Sequence, residues 1–225
     1  SMKIDTLPES NEKGFTILEL LIATTVLSVI LVMVSFVMVG IGNIYQKGIN
    51  QARVQTSTRN ITREVSEQLQ LMNRSSAFVG PSSPAPGRFK TFCFGDVRYT
   101  YVIGEQLGTD SSPENPKIPH VLWRDTPGAA ACAAGPALDL STNNANGEPI
   151  GSERGGTELV PANSRLTVFD ISSTLSGLYT VNVGVAYGDA DLLTARTGPT
   201  VRCNSGAGNQ FCSAAFLSTV VGRRL

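Results

Sequence analysis

Charge is scarce in this chain and histidine is almost absent. Asp, Glu, Lys and Arg make up 16% of 225 residues, 18 basic against 18 acidic, and His120 is the single histidine. A zero net charge removes the basic excess by which a nucleic-acid-binding surface usually declares itself. Arg223 and Arg224 offer only two charges to phosphates, so nucleic acid as a partner is possible but unsupported. With one histidine and no short Cys-x-x-Cys pair, a zinc site is the weaker reading of the cysteines. No nucleophile-elbow pattern accompanies His120, which reads as a surface or turn residue rather than a catalytic one. No phosphate-binding loop is present, so any nucleotide-driven step falls to another protein. No enzymatic activity, cofactor or metal is expected.

Cysteine is missing from the first 92 residues, which excludes a lipoprotein signal. The four that are present, Cys93, Cys132, Cys203 and Cys212, permit three pairings. Residues 204–211 between the last two can turn back on themselves, which favours Cys203–Cys212 and leaves Cys93–Cys132. Disulfides imply an oxidising, extracytoplasmic location. Asp189 and Asp191 could offer oxygens to calcium, but they lack the further acidic ligands of a recognisable loop and read as a turn after a strand.

What the chain does have is one long apolar run. Residues 1–14 are polar; from Phe15 to Ile44 the only charge is Glu19. About thirty helical residues reach roughly 45 Å, more than the ~30 Å hydrocarbon core of a bilayer. Thr24, Thr25, Ser28 and Ser35 can return their hydroxyls to the helix backbone and so do not forbid insertion. The run is too long for a secretory signal and has no small-x-small cleavage pattern at its end. A carboxylate within such a segment is costly and marks function by default.

Lys13-Gly14-Phe15-Thr16-Ile17-Leu18-Glu19 resembles the cleavage and methylation motif of type IV prepilins and type II secretion pseudopilins: a basic residue and Gly before the cut, Phe after it, Glu at the fifth mature position. The resemblance implies cleavage between Gly14 and Phe15 by a prepilin peptidase and N-methylation of Phe15. It also implies that Glu19 acts in assembly, meeting the new amine of a neighbouring subunit. Other pilins or pseudopilins and an inner-membrane assembly platform are the implied partners. Lys47, Arg53, Arg59 and Arg63 follow the run while only Lys3 and Lys13 precede it, so the positive-inside rule does not itself put the N-terminus in the cytoplasm. That orientation, with the C-terminal domain outside the plasma (inner) membrane and the subunit in a surface or periplasmic filament, comes from the resemblance.

Beyond Asn43 the pattern becomes amphipathic. Val54, Ile61, Val65, Leu69 and Met72 form one stripe, and Arg63 and Glu67 are spaced to pair at i, i+4 on another face. Gly40 and Gly42 are placed where the helix can bend or unwind. Gly80 to Gly87 reads as a linker that ends the helix. Residues 89–94 and 97–103 flank Gly95-Asp96 as a hairpin. Further strands are expected at 121–124, 165–171, 179–187 and 211–221, with a long loop between Asp125 and Gly156.

The expected fold is α+β, a long transmembrane-plus-amphipathic helix packed on an antiparallel sheet, as in pilins. Its expected parts are a leader (1–14), a transmembrane and polymerisation helix (15–44), an amphipathic stem (45–79) and an extracytoplasmic β-rich domain (80–225). The loop-rich domain and the segment Cys203…Phe211-Cys212-Ser213 are most similar to minor pilins and the pseudopilin J group. A minor type IV pilin is the expected function. A type II secretion pseudopilin and a non-polymerising tethered binding domain are the alternatives.

Overall fold

A computed structural model describes residues 14–72, 78–82, 88–109, 113, 117–128, 132, 138–174 and 177–222. The chain divides into two units with the boundary between Asn43 and Ile44. One helix, α1 (Ile17–Leu71), contributes to both.

In the second unit the elements after α1 run β1 (Phe78–Ser82), β2 (Lys90–Phe94), β3 (Val97–Tyr101), β4 (Gln106–Leu107), β5 (Lys117–Ile118), β6 (Leu122–Asp125), β7 (Asp139–Asn143), β8 (Pro149–Ile150), β9 (Thr157–Glu158), β10 (Ser164–Thr174), β11 (Leu178–Tyr187) and β12 (Ser213–Gly222). They form one sheet in the order β1-β2-β3-β6-β9, a second in the order β12-β11-β10-β4-β5, and the ribbon β7-β8. Every pairing is antiparallel except β4 with β5. The architecture is α+β, a long N-terminal apolar helix with antiparallel sheets, consistent with a pilin fold.

The stem part of α1, residues 44–71, is held by its sequence stripe. Val54, Ile61, Val65 and Leu69 are buried, with Met72 just past the helix end. They share one core with Phe92, Tyr99 and Leu122 of the first sheet and Phe169, Val181 and Val183 of the second. Each such side chain removed from water is worth about 2 kcal/mol. Thr58 and Thr62 interrupt the stripe yet are also buried, because each hydroxyl donates 2.8 Å to the carbonyl four residues back, of Val54 and Thr58 respectively. Rings join the two sheets: Phe169 of β10 meets Tyr101 edge-on at 4.9 Å and Phe92 at 5.8 Å, while Phe92 stacks on Tyr101 at 5.5 Å. Arg63 and Glu67 approach to 3.8 Å on the exposed side.

Several expectations change. The helix ends at Leu71 rather than at 79, and Phe78–Ser82, partly assigned to the linker, pairs with β2 as an edge strand. Its register shifts between Val79 and Ser82, the kind of edge irregularity that tolerates Pro81. The rest of the linker and Arg223-Arg224 lie outside the described residues. Gly40 and Gly42 do not unwind α1, which is assigned helical through both. The 125–156 loop contains the β7–β8 ribbon, and two sheets stand where one was expected. Residues 209–211 form a 3-10 turn, so the last strand begins at Ser213. Asp191 falls in another such turn, Ala190–Leu192, directly after Asp189.

The cysteines form two disulfides, Cys93–Cys132 and Cys203–Cys212, each with Cα atoms 5.8 Å apart. The Cys203–Cys212 loop rests on the stem. Lys47 Nζ donates to Asn209 Oδ1 at 2.7 Å and Asn50 Nδ2 to the Gln210 carbonyl at 3.1 Å.

Candidate functional site

The candidate site is the start of α1, within the first unit. Gly14, Phe15 and Thr16 precede the helix, and Ile17 opens it. A helix start leaves four backbone N–H groups without intrahelical partners. Thr16 and Glu19 satisfy two of these reciprocally. The Glu19 amide donates to Thr16 Oγ1 at 3.2 Å, and Glu19 Oε2 accepts from the Thr16 amide and hydroxyl, both at 2.9 Å. This is a capping box, Thr-x-x-Glu, with the carboxylate over the positive end of the helix. Sequence reasoning missed Thr16, although its spacing from Glu19 is the signal that could have found it.

Glu19 therefore has a hydrogen-bonding partner within its own chain, which lowers the cost of carrying a charge at the head of an apolar helix. Phe15 stands apart from that box and is 89% exposed. A side chain added at Gly14 would meet nothing within 4 Å. The chain's own fold makes no demand for glycine there.

From Leu20 to Asn43 the first unit carries no charged residue, and its large apolar side chains are exposed. Thr24, Thr25, Ser28 and Ser35 donate to the carbonyls of Leu21, Ile22, Thr25 and Leu31 at 2.8–3.0 Å, leaving no hydroxyl to be solvated by lipid. The helix is long and apolar enough to cross a membrane.

Residues 10–41 match the family model described as the prokaryotic N-terminal methylation motif. This motif, on an exposed apolar helix within an α+β fold, makes the N-terminal segment similar to that of type IV pilins and pseudopilins. No curated protein and no solved structure matches it.

The remaining candidates lie in the second unit. His120 is buried, not on the surface: the residue is 7% exposed and its ring meets Trp123 edge-on at 4.6 Å. Nε2 lies 3.1 Å from the Gly147 carbonyl and Nδ1 lies 3.6 Å from Glu158 Oε2. It ties the ribbon to β6 and β9. Sequence reasoning also missed Glu158, whose carboxylate accepts from the amides of Val121, Leu122 and Val160 at 2.9–3.0 Å. Nothing in the sequence joins it to residues 36 positions upstream. Among the described residues, no group of three His, Cys, Asp or Glu is placed to hold a metal ion.

Proposed function

We propose that this protein is a minor type IV pilin. Prepilin peptidase cuts it between Gly14 and Phe15, the new Phe15 amine is methylated, and the subunit enters or initiates a surface filament. Residues 1–14 are the leader, 15–44 span the membrane and later line the filament core, and the remainder forms a stem and domain on the outer side. The observation that carries this reading is the methylation motif set on a helix whose apolar side chains, residues 15–44, are left exposed. A helix of that kind needs lipid before assembly and other helices of the same kind after it.

Glu19 fits both states. In the single chain it closes the capping box; in the filament it exchanges the Thr16 amide for the freed Phe15 amine of a neighbour. Pairing the two charges offsets desolvation costs that neither would sustain alone. The large β-rich domain with its Cys203–Cys212 loop supports the minor-pilin reading over a major shaft subunit.

The test is co-expression of the full chain with a prepilin peptidase and its assembly platform, followed by intact mass measurement. The expected product begins at Phe15 with one added methyl group and is recovered in filaments sheared from the cell surface. An unprocessed chain, under conditions that process a control pilin, would overturn the reading. Recovery only in periplasmic filaments would assign the chain to secretion instead.

A further inference from the structure

The second sheet ends on an unusually open edge. β12 pairs with β11 through ten consecutive residues, from Ser213 opposite Tyr187 to Gly222 opposite Leu178. Its other side is the edge of the sheet, and no described residue bonds to its backbone there. Soluble proteins blunt long edges with charge, proline, bulges or shortness. Ser213-Ala214-Ala215-Phe216-Leu217-Ser218-Thr219-Val220-Val221-Gly222 has no charge and no proline, and its pairing with β11 has no register shift. The other edges are short by comparison: β5 and β9 have two residues each, and β1 has five with a register shift.

Beside this edge the stem forms a wall. A groove of about 270 Å³ lies between residues 214–217 and the helix row Gln51, Gln55 and Arg59, which repeats every four residues and so shares one face. Ser213 Oγ donates to Gln51 Oε1 at 2.8 Å at one end of it. On the sheet's outer face Phe216 and Val220 are exposed.

We propose that β12 receives an extended strand from a different protein subunit of the same filament, by strand addition. The site sets that strand's chemistry. Its backbone continues the ladder, and its side chains alternate. Those turned to the stem are polar and include a carboxylate for Arg59, whereas those turned outward are apolar and cover Phe216 and Val220. Among the described residues, no edge strand of a second copy fits. β12 and β1 carry no acid, and β5 carries Lys117. Glu158 of β9 is committed to three amides, and Asp139 of the ribbon is held by Ser141 and Thr142. The filament as source rests on the pilin reading; the strand-addition site itself does not.

The experiment therefore uses no filament. A fluorescent, end-capped ten-residue peptide alternating valine with glutamate or serine is titrated against the full chain in detergent. Controls replace glutamate by lysine, or methylate alternate backbone nitrogens of the acidic peptide. The acidic peptide is expected to bind saturably and to protect amides of Phe216–Val220 from hydrogen exchange. Backbone methylation should weaken it at least about tenfold, the loss expected when strand hydrogen bonds cannot form. Arg59→Glu, at an exposed position, should weaken it roughly fivefold and reverse the preference toward lysine. Absence of saturable binding, equal binding of the methylated peptide, protection at another edge, or indifference to Arg59→Glu would overturn the proposal. So would efficient cross-linking of two Ser218→Cys copies to each other, which would make β12 a self-pairing edge.

Discussion

The two stretches of α1, before and after Asn43, have the same backbone and opposite sequence logic. Residues 20–43 are apolar on all sides, and their large side chains are exposed. Between residues 54 and 69 the apolar side chains Val54, Ile61, Val65 and Leu69 form one stripe, and that stripe is buried against sheets of the same chain. A helix apolar all round requires an apolar surrounding that the chain does not supply, whereas an amphipathic one can be satisfied internally. Periodicity thus separates the part of a helix that belongs to its own domain from the part that the domain leaves exposed.

That contrast can be broken experimentally, beginning with the domain alone. Replacing Cys93 and Cys132 by serine opens a loop spanning 39 residues and should cost about 4 kcal/mol of unfolding free energy by the chain-entropy estimate. Denaturant titration of the full chain in detergent checks it, and removing Cys203–Cys212, with a separation of 9, should cost less, about 2.7 kcal/mol. If the shorter loop mattered more, its docking on Lys47 and Asn50, rather than loop length, would be setting the stability.

Next is the contrast within the helix. Leu69 is fully buried and Leu31 is 57% exposed. Leu69→Ala should destabilise the domain by about 3 kcal/mol, and Leu31→Ala by about zero on the same assay. Equal effects would mean that the two stretches are not distinguished as argued.

The smallest expected effect is electrostatic. Burial pushes the Glu64 carboxyl up against the opposing pull of Arg124, 3.1 Å away. A group raised in the folded state contributes stability that is present below its unfolded pKa and is lost as pH rises through the folded value. Between about pH 4 and 7 the wild type should therefore lose stability relative to Glu64→Gln, by less than about 1 kcal/mol because the pair is partly solvated. Asp139 runs the other way. Hydrogen bonds from Ser141 hold its carboxyl low, so its contribution is present above the unfolded value and lost as pH falls. A wild type that gains on Glu64→Gln with rising pH would show that Arg124 outweighs burial.

Much of the fold is legible in the amino-acid order alone. The stem stripe is readable because five apolar residues repeat at helical spacing over several turns, and the β2–β3 hairpin because Gly95-Asp96 separates two β-rich runs. What stays hidden has physical reasons. β1 contains Gly80-Pro81, a breaker anywhere except on an edge. Strands β4, β5, β8 and β9 are two residues long, too short for any period, and exist only because a neighbouring strand pairs with them. His120 reads as a turn residue because Pro119 precedes it, and its burial depends on Gly147 and Glu158, both far along the chain. At the candidate site Gly14, Phe15 and Glu19 are readable as a motif. The Thr16 half of the capping box is the quieter signal, because a neutral threonine carries no charge to mark it in an apolar run.

In the proposed pilin reading, the first stretch of α1 serves assembly and Glu19 is its working charge. Leu20 to Ile44 is apolar enough to insert without it. Glu19→Val should therefore enter the membrane and be cut at Gly14 like the wild type. In the filament, an unpaired Phe15 amine buried in an apolar core costs about 3–5 kcal/mol, enough to exclude most mutant copies when wild type competes. The decisive measurement is the fraction of tagged Glu19→Val subunits in sheared filaments relative to the membrane pool, with wild type co-expressed. The account predicts a ratio far below that of a tagged wild type; equal ratios would contradict it.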